Sequence, residues 1–332
     1  MVELLVRRLV SACITIFLLS IVAFILIQLP PGDFVDAYAG KKTQGGVIIT
    51  QDELDSMRSR LGLDKPIYQQ YWKWVGNLFK GDMGFSWEYH RPVLDVIGER
   101  LSMTLVLAFS TLIFTYVVAI IIGIYSAVRQ YSLGDNLATI VGYLGLATPG
   151  FLFALILMFL GQKWFGISVG GLFSPEFEDA AWSFAKLMDL FSHLWVPVIV
   201  LGMAGTAFQL RTMRATLLDE LNKMYVTSAR AGGIPEFKLL MRYPVRMALN
   251  PIASTLGWEL SKIISGAPII AIVLSLPTLG SLYVNSLLSQ DMYLAGALIL
   301  ILCSLVIIGT FISDILLMVL DPRLRLGKAG AK

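Results

Sequence analysis

The sequence predicts an all-α integral membrane protein with about six transmembrane helices, and three observations carry that expectation. Of its 332 residues 56% are hydrophobic and only 15% charged, and the mean hydropathy is +0.73; soluble domains sit near 45–50% apolar and about 25% charged. Apolar runs of membrane-spanning length recur along the chain. Basic residues collect in the segments that a six-span topology places on one side.

The first run, Leu9–Leu29, crosses a bilayer core of about 30 Å at about 1.5 Å per residue. Arg7-Arg8 ahead of it fits a secretory leader. A leader's apolar region, however, spans about 7–15 residues, and Pro30-Pro31-Gly32 follows instead of a small-x-small cleavage site. Residues 1–30 therefore read as a retained first helix.

Five further spans follow within a core at residues 101–320: Leu101–Val128, Leu137–Gly161, Leu194–Leu210, Ile252–Leu276 and Tyr293–Leu320. The fourth is short and rich in small residues, and charge placement supports it. With six spans the N and C termini, Arg129 and the loop 211–250 share one side, which gathers Arg7, Arg8, Arg211, Arg214, Arg230, Arg246 and the basic tail 321–332. The opposite short loops carry only Lys163 and Lys186. The positive-inside bias makes the crowded side cytoplasmic.

Residues 31–100 form a partly helical extracytoplasmic insertion. Thr50-Gln51-Asp52-Glu53 is a capping box that opens a helix to Arg60 or Leu61, with Gly62 as its stop. After Pro66, the residues Tyr68, Tyr71, Trp72, Val75, Leu78 and Phe79 recur at helical spacing opposite Gln69, Gln70, Lys73 and Asn77. That face suits either the membrane–water boundary or packing against the bundle. The loop between spans three and four, with Phe177, Trp182, Phe184, Phe191 and Trp195, reads similarly.

No phosphate cradle of the G-x-x-x-x-G-K-[ST] type is present. Cys13 and Cys303 lie in apolar runs and imply no disulfide, and His90 and His193 read as ordinary loop or interface residues. A net charge of +3 gives no argument for nucleic acid. Inside the spans Glu259 and Lys262 are the clear ionisable pair, three residues apart on one helical face. They either line a substrate path or neutralise one another in the bundle. Asp135 and Asp314, near span ends, are expected to be solvated or capping.

The loop 211–250 is the most informative stretch. Lys223–Ala231 favours a helix, Gly232-Gly233 breaks it, Pro235-Glu236 restarts it and Pro244 interrupts it again. A short helix, a sharp turn and a second short helix at the membrane surface form a knob that docks on a soluble partner; the bland alternative is a basic loop drawn to anionic lipid.

Thr227-Ser228-Ala229-Arg230-Ala231-Gly232-Gly233-Ile234-Pro235-Glu236 resembles the cytoplasmic loop that docks on the ATPase in membrane subunits of binding-protein-dependent ATP-binding-cassette importers, in the form found in the dipeptide/oligopeptide permease family. Pro31-Gly32-Asp33, Leu61–Pro66, Gln70-Tyr71, Gly81–Ser86, Pro92-Val93, Thr104-Leu105 and Leu320–Arg325 are similar in order and spacing, and the long insertion resembles the first of the two paired permease types. The motif's acidic position falls on Thr227 and its closing proline on Pro244 or Pro251; Ala271 stands where the family commonly has Glu, and Thr278 where it has Gly.

The resemblance implies a bacterial inner-membrane permease that is not an enzyme and binds no cofactor, with ATP and Mg held on partner subunits. The implied partners are a second homologous permease, two ATPase subunits, an extracytoplasmic solute-binding protein and membrane lipid, with no nucleic acid. Its cargo is a peptide or similar small solute, with an oligosaccharide or other solute as the alternative. An ion-coupled secondary transporter is the rival class, and it predicts inverted repeats and buried carboxylates in both halves.

Overall fold

The computed structural model describes residues 2–28, 35, 39–40, 50–61, 64–86, 88–166, 170–178, 180–265 and 268–320. Pro31-Gly32-Asp33, the expected stop at Gly62, Gly266-Ala267 and the tail from Asp321 lie outside the described residues.

In chain order the elements are α1 (Val2–Gln28), α2 (Gln51–Leu61), α3 (Ile67–Phe79), β1 (Phe85–Ser86), β2 (Arg91–Pro92), α4 (Val93–Val128), α5 (Leu133–Ala147), α6 (Gly150–Phe165), α7 (Phe184–Leu221), α8 (Met224–Ala231), α9 (Glu236–Arg242), α10 (Pro244–Ser254), α11 (Leu256–Ser265), α12 (Pro268–Val273), α13 (Leu279–Leu288) and α14 (Met292–Leu320). Among the described residues four helices are long and apolar enough to cross a membrane, in α1, α4, α7 and α14, and the bent pair α5/α6 meets the same length and composition when taken as one span.

Two expected spans are not single helices. Leu137–Gly161 folds as α5 and α6, which meet at 110°. Thr148 is extended at φ −88°, ψ 124° ahead of Pro149, because the proline ring crowds a helical conformation in the residue before it. Ile252–Leu276 is divided among α10, α11 and α12. A turn at Thr255 separates α10 from α11, and Pro268, which has no N–H to extend a helix arriving from before it, opens α12. The fourth span differs the other way. It is the 38-residue α7, which takes in Phe184, Phe191 and Trp195 at one end and Arg211 and Arg214 at the other, leaving only Phe177 and Trp182 of the expected loop aromatics in the connection. Charged side chains in its outer turns had hidden its length.

The chain divides into two compact units, Met1–Met103 with Thr278–Leu305, and Thr104–Pro277 with Val306–Lys332. In the first, Ala23 and Phe24 of α1 and Trp74 of α3 form a buried cluster joined by Tyr71, Val75, Leu78, Tyr293, Ile299 and Leu300. Glu53 accepts the Thr50 backbone N–H at 3.2 Å, the expected start of α2. The strands pair antiparallel, Phe85 opposite Pro92 and Ser86 opposite Arg91. Asp291 fixes this ribbon to α14: its carboxylate accepts from Ser86 Oγ at 2.6 Å, the Glu88 N–H at 3.2 Å and the Leu294 N–H at 3.3 Å.

In the second unit α7 packs against α10, α5 and α6, and Tyr116, Ala127, Met213, Leu217, Val245, Ala248 and Ile252 form the core. Helices α11 and α14 touch through small residues. A Cβ on Gly257 would lie 2.7 Å from Ser313 Cβ and 2.8 Å from the Gly309 carbonyl, so only glycine permits this approach. Gly257/Ser261 and Gly309/Ser313 are each four apart, the small-xxx-small spacing by which membrane helices close together without a hydrophobic drive.

Asp135 is not solvated. It is buried at the start of α5, where it accepts the Tyr131 N–H at 2.8 Å and takes a bidentate pair from Arg214 Nε and Nη2, both at 2.9 Å. The capping half of the expectation holds, because the Asp135 carboxylate closes the turn that Ser132 opens by accepting the Asp135 N–H at 3.2 Å. Breaking such a pair strands the partner that cannot reach water. Arg214→Ala is therefore expected to lower the unfolding free energy of the detergent-solubilised protein by about 3 kcal/mol. Asp135→Asn should cost less, since the Arg214 side chain keeps a wet edge; thermal unfolding of both variants checks the order.

Candidate functional site

Residues 222–243 form a helical hairpin between α7 and α10. Its base is tied by Glu220, whose carboxylate accepts from Lys223 Nζ and Tyr225 Oη. Burial, and after it the Glu220 carboxylate, push the Tyr225 phenol up, so it remains a donor at neutral pH. Asn222 Nδ2 donates to the Leu218 carbonyl at 3.0 Å and closes the end of α7.

α8 stops at Gly232-Gly233 in a Schellman arrangement. The Ile234 N–H reaches the Ala229 carbonyl at 3.4 Å and the Gly233 N–H reaches that of Arg230 at 3.1 Å, the two bonds by which a left-handed residue after a helix satisfies its last carbonyls. Gly233 is that residue, at φ +74°; Gly232 is at φ −72°. Pro235, at φ −55° and ψ 135°, starts α9. Arg230 spans the turn to Glu236 with Nε–Oε2 at 3.1 Å and Nη2–Oε1 at 2.6 Å. Hydrogen bonding from Arg230 holds the Glu236 carboxyl below its ordinary value. The pair is therefore fully formed above the usual glutamate range and is lost only as pH falls through the lowered value. Both side chains are largely in water, so the pair fixes the angle of the turn more than it stabilises the fold.

Two apolar hooks hold the hairpin down. Val226 of α8 and Leu239 of α9 are fully buried, while Pro244 takes the first position of α10 and Val245 enters the core. Pro244 thus starts the next helix as well as ending α9. Of the expected docking residues, Thr227, Ser228, Arg230, Ala231, Gly232, Gly233, Pro235 and Glu236 are exposed, and Ala229 and Ile234 are half-buried. Two residues that the sequence did not single out stand out further. Met224 is 80% and Phe237 77% exposed, each in the first turn of its helix. Helices of eight and seven residues are too short for periodicity to tell an outward apolar side chain from an inward one.

The second expected group, Glu259 and Lys262, is in contact on α11. Lys262 Nζ lies 3.2 Å from Glu259 Oε1. The carboxylate is buried against Gly205 of α7, whereas the ammonium is open and sits 4.5 Å from the Trp258 ring centroid. One turn away lies a polar knot missed in the sequence, because its members come from two helices and a turn: Gln209 Nε2 donates to Thr255 Oγ1 at 2.7 Å, and Tyr116 Oη is 2.9 Å from the same oxygen. Among the described residues no three His, Cys, Asp or Glu side chains gather as metal ligands. His193 Nδ1 faces the Asp189 carbonyl at 2.9 Å, and the Asp189 carboxylate binds the Ser174 N–H and hydroxyl at 2.7 and 2.6 Å.

The chain matches the family described as binding-protein-dependent transport system inner membrane component over residues 119–326, and the corresponding N-terminal membrane-component family over residues 1–108. A Brucella ovis protein named as a peptide permease is 33% identical over 311 residues, 92% of this chain and 94% of that protein. The oligopeptide transport system permease protein AppB of Bacillus subtilis is 32% identical over 323 residues, 96% of this chain and 98% of its own. The glutathione transport system permease protein GsiC of Escherichia coli K12 is 28% identical over 325 residues, 98% of this chain and 99% of that protein.

The two glycines of the turn have different requirements, which can be measured. An L-residue at the left-handed position costs about 1 kcal/mol, so Gly233→Ala should reduce hydrogen-exchange protection of the turn amides about fivefold. Gly232→Ala, in a helical conformation, should leave protection unchanged or raise it.

Proposed function

Because the chain belongs to the dipeptide/oligopeptide permease family, membrane components and not enzymes of binding-protein-dependent transport systems in the inner membrane, we propose that it lines half of a solute path and takes its driving force from separate ATPase subunits through the hairpin 222–243. The observation that carries this is the hairpin itself: a hydrogen-bonded turn pinned by Val226 and Leu239 beneath and presenting Met224 and Phe237 outward. A loose basic loop needs neither buried hooks nor a closed turn. A lever that transmits displacement into α7 and α10 needs both.

In this reading α1, α4, α5/α6, α7, α10–α12 and α14 make six crossings, with both termini and the hairpin in the cytoplasm, as the basic side of the chain supports. The segment between α1 and α4 faces the solute-binding protein. A second homologous permease completes the path, and two ATPase subunits hold ATP and Mg, none of which this chain binds. ATP-driven closure of the ATPase pair brings the docking hairpins together and switches the path between its two openings. Residues Thr227 to Glu236 form the docking turn. Glu259 and Lys262 are a structural pair whose lysine end is open to the path or to lipid.

The relatives' names point to peptides, and a peptide is the proposed cargo. A non-peptide solute such as an oligosaccharide is favoured by one observation: Ala271, buried in α12, leaves no carboxylate at a position where family members commonly carry one.

Deleting Thr227–Glu236 should leave the protein in the membrane while the reconstituted complex hydrolyses ATP without moving solute; sustained uptake by that variant would overturn the reading. Phe237→Ala should weaken ATPase association by about 2 kcal/mol, the loss typical of a buried aromatic anchor, roughly a 30-fold rise in Kd, measured with the permease pair in detergent.

A further inference from the structure

Helix α3 uses only part of its apolar surface on the protein. Tyr71, Trp74 and Leu78 pack onto α1 and the first half of α14: Tyr71 Oη lies 2.8 Å from Ser20 Oγ, and the Phe24 ring is 5.4 Å from that of Tyr71 and 5.6 Å from that of Trp74. At about 100° per residue, Tyr68, Phe79 and Trp72 form a second stripe about 40° wide beside the packed one. This stripe is bare: Tyr68 is 64%, Trp72 60% and Phe79 89% exposed. Gln69 and Lys73 lie beyond it, away from the protein.

The depth of α3 follows from what it touches. Ser20, Ala23 and Phe24 belong to the apolar segment Val6–Leu26, and Ile299 and Leu300 to Met292–Ile315. At about 1.5 Å per residue, Phe24 and Ser20 lie about 3 and 9 Å inside Leu26, the end of that apolar segment, which brackets the shallow depth of about 5–10 Å at which interfacial helices bury their apolar face. Tyr and Trp are the side chains whose apolar body and polar edge suit that layer.

We propose that α3 is a lipid anchor: Tyr68, Trp72 and Phe79 insert into the headgroup–acyl boundary, so that the segment between α1 and α4 is held to the bilayer by lipid as well as by α1 and α14. Gln69 and Lys73 then face water.

The test places a nitroxide at Tyr68→Cys, Trp72→Cys and Phe79→Cys, and at Gln69→Cys and Lys73→Cys as aqueous references, in a Cys13→Ser/Cys303→Ser background. The whole transporter is reconstituted in phosphatidylethanolamine/phosphatidylglycerol vesicles, and power saturation compares apolar oxygen with a water-soluble nickel chelate. Labels on the stripe should favour oxygen over the chelate several-fold more than labels at 69 and 73. Chelate access at 68, 72 and 79 equal to that at 69 and 73 overturns the proposal, and so does closure to both reagents, which would put a protein partner on the stripe. Three positions on one stripe keep the outcome decidable if one variant does not assemble.

Discussion

Backbone N–H and C=O groups in the hydrocarbon layer have no water to pair with, so a chain can leave the helix there only where protein supplies the missing bonds. Two breaks among the described residues have their freed groups taken up in that way. At Thr255, between α10 and α11, the backbone N–H returns to the Ile252 carbonyl at 3.1 Å and the side-chain oxygen is engaged by Gln209 and Tyr116. After α12, the Leu274 carbonyl is taken by the Gly171 N–H at 2.7 Å. The long α7 is the helix against which α5, α6 and α10 are laid.

The same scarcity of water governs the polar side chains. Asp135 with Arg214 and Glu259 with Lys262 are arranged alike, the carboxylate buried and the cation at the wet or open side. A long basic side chain can keep its charge near water while a short carboxylate cannot. The first pair ties α5 to α7 and the second lies along α11, and neither leaves its buried carboxylate without a counter-charge. The close contact of α11 and α14 through Gly257, Gly309 and Ser313 adds dispersion contact in place of the hydrophobic drive that lipid withholds.

The hairpin at 222–243 is built on different terms, because its groups can reach water. Its shape comes from short-range bonds: a Schellman turn, a guanidinium fork across it and a proline restart. Tertiary structure contributes two buried side chains, Val226 and Leu239. A rigid tip on a fixed base is what the coupling role proposed for this hairpin requires.

By itself the sequence determined that the chain lives in a membrane, that a helix–turn–helix lies between Lys223 and Arg242, that α2 and α3 begin where they do, and which family it belongs to. These features depend on composition and on contacts within a few residues: apolar runs, a capping box, glycine at a left-handed position and proline at a helix start. Only the tertiary structure decided that Leu137–Gly161 bends at Thr148-Pro149, that Ile252–Leu276 is broken, that α7 runs 38 residues through its charged ends, that Asp135 is buried against Arg214, and which aromatics of α3 are covered. Proline marks where a helix is weakened, but whether it bends or straightens depends on which distant carbonyls, hydroxyls and counter-charges arrive to satisfy it, and those arrive from helices tens of residues away.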